Sequence, residues 1–153
     1  MSRFGDAQRI SAEIDAVLEA ADQIDDETKA SLARYVCILA SSYLEVVTKD
    51  IVKKFVSLRA DENVARFVDS SLQQFRDPNS EKILTLFGRI NPEFRKKLED
   101  SLFEREKDSI DSIYANRNNI AHGRRSGISI YQIKKYLNDS KLFMSKVKSI
   151  IIP

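Results

Sequence analysis

Between Leu32 and Leu58 the residues Leu32, Val36, Leu39, Tyr43, Val47, Ile51, Phe55 and Leu58 recur at three- and four-residue steps. That spacing places them on one face of an α-helix and holds for about seven turns. A helix of this length is a spine that must be covered along much of its surface by other elements. The chain around it has few places to turn, with four glycines and three prolines in 153 residues. No stretch alternates apolar and polar residues as a half-buried strand would, and there is no repeat or low-complexity segment. The expectation is an all-α fold.

The flanking segments carry the same period. A first helix is predicted over residues 6–24, with Ile10, Ile14, Val17, Leu18 and Ala21 on its stripe. "DQIDDETKA" breaks it; Asp25 or Asp26 can cap the long helix, and Glu27 complements its N-terminal dipole. Shorter helices are predicted near 61–75, 80–89 and 92–102. "DPNSEKI" supplies a break and a cap, and Pro92 follows Asn91 at a first helical position. Another long helix is predicted over 105–122, with Ile110, Ile113, Tyr114 and Ile120 as inward residues. Gly123 suits the position after a helix end, where positive φ is easiest. After the "RRSGIS" loop, Ser129 can cap a last helix whose stripe is Ile130, Ile133, Leu137, Met144, Val147 and Ile151. Residues 1–153 therefore read as one domain, a bundle of about four main helices with short inserted ones.

Composition narrows the function classes. The chain has 25 Lys+Arg against 23 Asp+Glu, a net charge of +2, so the large basic excess of a dedicated nucleic-acid binder is missing. A local basic patch can still act alone. Cys37 is the only cysteine and lies in apolar "YVCILA", which reads as a buried small side chain in a chain that makes no internal disulfide. "MSRFGDAQRI" lacks an apolar secretory core, and no uninterrupted apolar run nears the roughly 20 residues of a membrane span. The expected location is the cytoplasm, away from membranes. No Gly-rich phosphate loop occurs, one Cys and one His do not make a structural zinc site, and no nucleophile motif stands out. The acidic clusters "DQIDDE", "LEDSLFERE" and "KDSIDS" alternate with Lys and Arg and read as solvated faces. No metal ligand set or cofactor is expected.

What remains is "SIYANRNNIAHGRRSGIS", which contains the only histidine, His122. Arg117 precedes it by five positions. On an ideal helix that is about 140° and roughly 7.5 Å, so the two side chains converge only if the helix loosens near Gly123. Histidine has a reference pKa of about 6.5, in the range useful for proton transfer. Arginine grips phosphate in two-pronged fashion. An arginine fixing a phosphodiester beside a proton-moving histidine is a minimal kit for cutting RNA without metal, the 2′-OH serving as nucleophile. Arg124 and Arg125 add phosphate-binding capacity. The plainer alternative is a histidine that caps the helix, a solvated Arg117 and a basic loop that complements the helix dipole.

"RNNIAHG", an arginine with a polar neighbour, separated by four residues from a histidine at a helix end, resembles the signature of the HEPN superfamily. The long helix carrying "SSYLEVVTKDIVKKF", the inserted short helices and the final amphipathic helix make the chain most similar to the RiboL-PSP branch. The resemblance implies a helical bundle that dimerises with its signature helices facing each other. It also implies an Arg–His pair formed by Arg117 and His122, with Asn118 helping to orient them or the phosphate. Glu45 on the long helix sits where such proteins often carry an acidic residue near the signature; a salt bridge to Arg117 is the alternative. Many members are metal-independent endoribonucleases in toxin–antitoxin, anti-phage or RNA-processing systems. The partners implied are RNA, a second copy of the chain and, for a toxin, a cognate antitoxin. Other members act only as binding or assembly modules.

A two-fold pair also follows from the thinness of the site, since it doubles both side chains, and Ile113, Tyr114 and Ile120 are candidates for the pairing surface. The sequence thus supports an RNA-cleaving homodimer with a composite site. The alternative is a non-catalytic helical module that binds RNA, a nucleotide or a protein.

Overall fold

The computed structural model describes residues 4–153, so the first three residues of the stretch read for a secretory leader lie outside it. Seven α-helices follow one another: α1 (Phe4–Ala21), α2 (Asp26–Ser57), α3 (Glu62–Ser71), α4 (Ser80–Ile90), α5 (Pro92–Ser101), α6 (Glu104–Ala121) and α7 (Ile130–Ile151). A single 3-10 turn, Leu72–Gln74, follows α3, and the described residues contain no strand. The long helices α1, α2, α6 and α7 form the bundle, and α3, α4 and α5 are the inserted short ones.

The boundaries follow local chemistry. Asp25 is the cap of α2: its Oδ1 accepts the Thr28 N–H at 2.9 Å and its Oδ2 accepts the Thr28 hydroxyl at 2.8 Å. These bonds hold the Asp25 carboxyl below its usual pKa. Asn79 caps α4 through the Lys82 N–H at 2.8 Å. Asn91 caps α5 through the Glu93 N–H at 3.0 Å, with Pro92 in the first turn. Ser129 and Gln132 close a reciprocal capping box at the start of α7, each bond 3.1 Å. The first helix ends at Ala21 rather than residue 24, because Gln23 and Ile24 donate back to Ala20 and Ala21 in a turn that leads to the Asp25 cap.

At 32 residues, α2 is longer than its apolar stripe. The expected stripe is also not its deepest face. Burial is greatest along Ala33, Cys37, Ala40, Leu44, Thr48 and Val52, with Val36 and Ile51 alongside, while Leu58 at its end is 58% exposed. Small residues such as Ala33, Ala40 and Ser41 let neighbouring helices approach closely, and α1, α3, α6 and α7 all pack on this spine. By length and hydropathy α2 would also pass for a membrane span; many of its apolar residues pack against these helices, while Tyr35 and Ile38 are exposed.

A charge pair between buried Glu106 and half-buried Lys146 pins α6 to α7. Glu106, fully buried in the first turn of α6, accepts the Phe103 N–H at 3.0 Å and meets Lys146 Nζ at 2.7 Å. Lys146 also donates to the Ser101 carbonyl at 3.2 Å and lies 3.8 Å from the centre of the Phe103 ring. Near the middle of α6, Asp111 accepts the Ser80 N–H at 2.8 Å and so ties α6 to the start of α4. The signature helix is therefore held at its first turn and near its middle, ahead of the turns that carry Arg117 and His122.

Candidate active site

The end of α6 is shaped by Gly123. The residue has φ +67, the Gly123 N–H donates to the Ile120 carbonyl at 3.2 Å, and the Arg124 N–H donates to the Asn119 carbonyl at 2.7 Å. This pair of bonds is a Schellman ending, which needs a left-handed residue at that position. A Cβ built on Gly123 meets nothing within 4 Å, so the only obstacle to another side chain is the backbone conformation. Gly123→Ala is therefore expected to cost about 1 kcal/mol in urea unfolding.

His122 itself is the helix C-cap, with φ −95 and ψ 14, and its N–H donates to the Asn118 carbonyl at 3.1 Å. Its side chain is exposed, as are Arg124 and Arg125 on the loop that follows. That loop is tethered at Ser126, whose hydroxyl donates to Asn116 Oδ1 at 2.7 Å; Asn116 in turn donates to the Ser112 carbonyl at 2.8 Å. Asn118 is half-buried one turn before His122, so the two lie near one another on the helix surface.

Arg117 takes a different direction. Its guanidinium Nη2 meets Asp77 Oδ2 at 2.9 Å, both side chains being about 30% exposed. No hydrogen bond joins Arg117 to His122 among the described residues. The helix is regular up to Ala121, and its geometry loosens at His122 and Gly123.

Sequence reasoning missed Asp77, which lies 40 positions before Arg117 in the connection ahead of α4. The signal available was "RDPNS", an aspartate before a proline in a turn-forming stretch. Glu45 does not touch Arg117. Its Oε1 accepts the Asp77 N–H at 2.9 Å and its Oε2 meets Lys49 Nζ at 3.2 Å. Glu45 thus reaches the signature through Asp77 rather than by a salt bridge to Arg117.

One further expectation changes. Ile113 is 1% exposed and belongs to the core, where its carbonyl faces the Cys37 thiol at 3.6 Å, so it cannot form a pairing surface. Tyr114 and Ile120 are half-buried and keep accessible area. Cys37 is fully buried, and burial pushes its thiol up to about 12 despite the nearby Arg117 charge that pulls it down.

The sequence profile of the RiboL-PSP-HEPN family matches residues 6–153. The chain belongs to that family. No curated protein and no solved structure matches it. Membership makes this HEPN domain an RNA-related, nuclease-type module and agrees with its all-α architecture. In this HEPN domain the signature arginine and histidine occupy the last two turns of α6, the first half-sunk against Asp77 and the second open to solvent. A cleft of about 450 Å³ between α1, α2 and α7, and another of about 480 Å³ beside α3 and α4, have neither residue in their walls. Among the described residues no three His, Cys, Asp or Glu side chains converge as metal ligands would.

Proposed function

We propose that this HEPN domain is a metal-independent endoribonuclease that works as a homodimer in the cytoplasm, with RNA as substrate and the α6 ends of two subunits lining one cleft. The observation that carries this reading is that a half-exposed guanidinium and an exposed imidazole both lie on the last two turns of one helix, in a chain of this family. A second subunit answers two features at once. It supplies a wall where one subunit has none, and it provides a second His122, so that acid and base are separate groups.

In the step proposed, one His122 takes the proton of the ribose 2′-OH as its oxygen attacks the adjacent phosphorus. The bond from phosphorus to the 5′-oxygen breaks, and the other His122 protonates that oxygen as it leaves. The products are a 2′,3′-cyclic phosphate and a 5′-hydroxyl, with no net gain or loss of protons. Arg117 holds the charge that builds on the phosphate oxygens. Asn118 steadies the phosphate or His122, and Arg124 and Arg125 hold neighbouring phosphates. A toxin or anti-phage role, with an antitoxin as the silencing partner, suits a small nuclease of this kind.

The test is end-group analysis of RNA incubated with the protein in excess chelator, together with sedimentation. The reading expects 2′,3′-cyclic phosphate ends and a particle of twice 17.5 kDa. Ends carrying 3′-hydroxyl groups, or a monomer that cuts, would contradict it.

One observation favours the second reading, a non-catalytic binding module: Arg117 already has an anionic partner in Asp77. That module would bind RNA with steep salt dependence through Arg124 and Arg125 and would show no turnover.

A further inference from the structure

We propose that Asp77 is a positioning residue that sets the direction of the Arg117 guanidinium for phosphate, an inference that rests on the ribonuclease reading above. Asp77 has φ +42, the one positive φ outside glycine among the described residues. Such a conformation is unfavourable for a residue with a side chain and persists only where surrounding structure enforces it. Here the enforcement is visible. The Asp77 N–H donates to Glu45 Oε1 at 2.9 Å, Ser41 Oγ donates to Asp77 Oδ1 at 3.3 Å, and buried Pro78 fixes the next residue. Ser41 is itself 1% exposed, and Glu45 is held by Lys49. Asp77 is therefore anchored to the spine helix α2 at two points, its N–H on Glu45 and its Oδ1 on Ser41, and its remaining oxygen, Oδ2, meets Arg117.

The consequence is geometric. An unrestrained arginine has four rotatable side-chain bonds and sweeps a wide volume, and ordering it when substrate binds costs entropy. Asp77 pairs with a single nitrogen of the guanidinium, Nη2, and leaves the other N–H donors for the two-pronged phosphate contact. Glu45, Ser41 and Asp77 thus form a strut from α2 to α6 that pre-orders Arg117 before RNA arrives.

Asp77→Gly removes the carboxylate while suiting the positive φ, and Asp77→Asn keeps an acceptor oxygen in a residue that tolerates it, so both variants keep the fold accessible. Helical content by circular dichroism checks this. In chelator, Asp77→Gly is expected to lower kcat by about 10²-fold, the scale of a small misplacement of a catalytic group. KM should change by less than about threefold. Asp77→Asn should recover at least about tenfold of that loss, and Asp77→Gly combined with Arg117→Ala should be no slower than Arg117→Ala alone. Wild-type or faster cleavage by Asp77→Gly overturns the proposal and would mean that the carboxylate competes with phosphate.

A second readout needs no turnover. Phenylglyoxal labelling followed by peptide mapping should modify Arg117 at least about threefold faster in Asp77→Gly than in the wild type, with Arg124 and Arg125 unchanged as internal controls. Equal labelling of Arg117 in the two proteins overturns the strut whether or not RNA is cut. Wild-type protein that cuts no RNA while the labelling difference appears removes the ribonuclease reading and leaves the strut standing.

Discussion

His122→Ala is expected to lower the rate of RNA cleavage by about 10²- to 10⁴-fold, the usual contribution of a positioned general acid or base. The side chain is exposed at the helix cap and makes no side-chain hydrogen bond in the described structure, so its removal leaves packing intact. The melting temperature should therefore stay within a few degrees of the wild type. RNA binding should also survive, because Arg117, Arg124 and Arg125 remain. A variant that loses rate, stability and binding together would mean that His122 works as a structural cap. Equal rates for variant and wild type would remove His122 from the chemistry altogether. Single-turnover measurements with labelled RNA separate these outcomes.

The second large effect concerns the frame that holds the site. Lys146→Ala is expected to destabilise the chain by about 3 kcal/mol, because it leaves the Glu106 carboxylate, 1% exposed, without its countercharge. Adding Glu106→Gln should restore part of the loss. The amide can still accept the Phe103 N–H, and no uncompensated charge remains. Urea unfolding of the two single variants and the double variant gives the coupling energy directly. Additive losses would mean that the pair contributes little and that α6 is held to α7 by apolar contacts alone.

Most of the frame could be read from local chemistry. Asp25, Asn79, Asn91 and Ser129 cap their helices because each carries a short polar side chain immediately before an apolar-periodic run. Gly123 adopts the left-handed ending that its position suggested. The deep face of α2 was harder to see, since Ala33, Ala40, Ser41 and Thr48 carry little hydrophobic signal and are buried because other helices come close. Ile113 looked equally suited to the core and to a dimer surface, and only tertiary packing decides that it faces Cys37.

The candidate site was legible in part. Arg117, Asn118 and His122 lie within six residues of one another, and their chemistry can be argued from that stretch alone. Asp77 and the route by which Glu45 reaches Arg117 depend on a contact between residues 40 apart and on an unusual φ, neither of which leaves a periodic trace. The pairing of two α6 helices lies beyond a single chain and enters through the resemblance and the incompleteness of one subunit's site.

The most direct measurement uses two oligonucleotides in excess chelator, identical except that one carries a single 2′-deoxyribose at the cleaved position. The all-ribose strand should be cut there and the substituted strand left intact at that position, because the attacking oxygen is missing. Cleavage of the 2′-deoxy position, or cleavage that appears only when a divalent cation is restored, would contradict a mechanism built on Arg117 and His122.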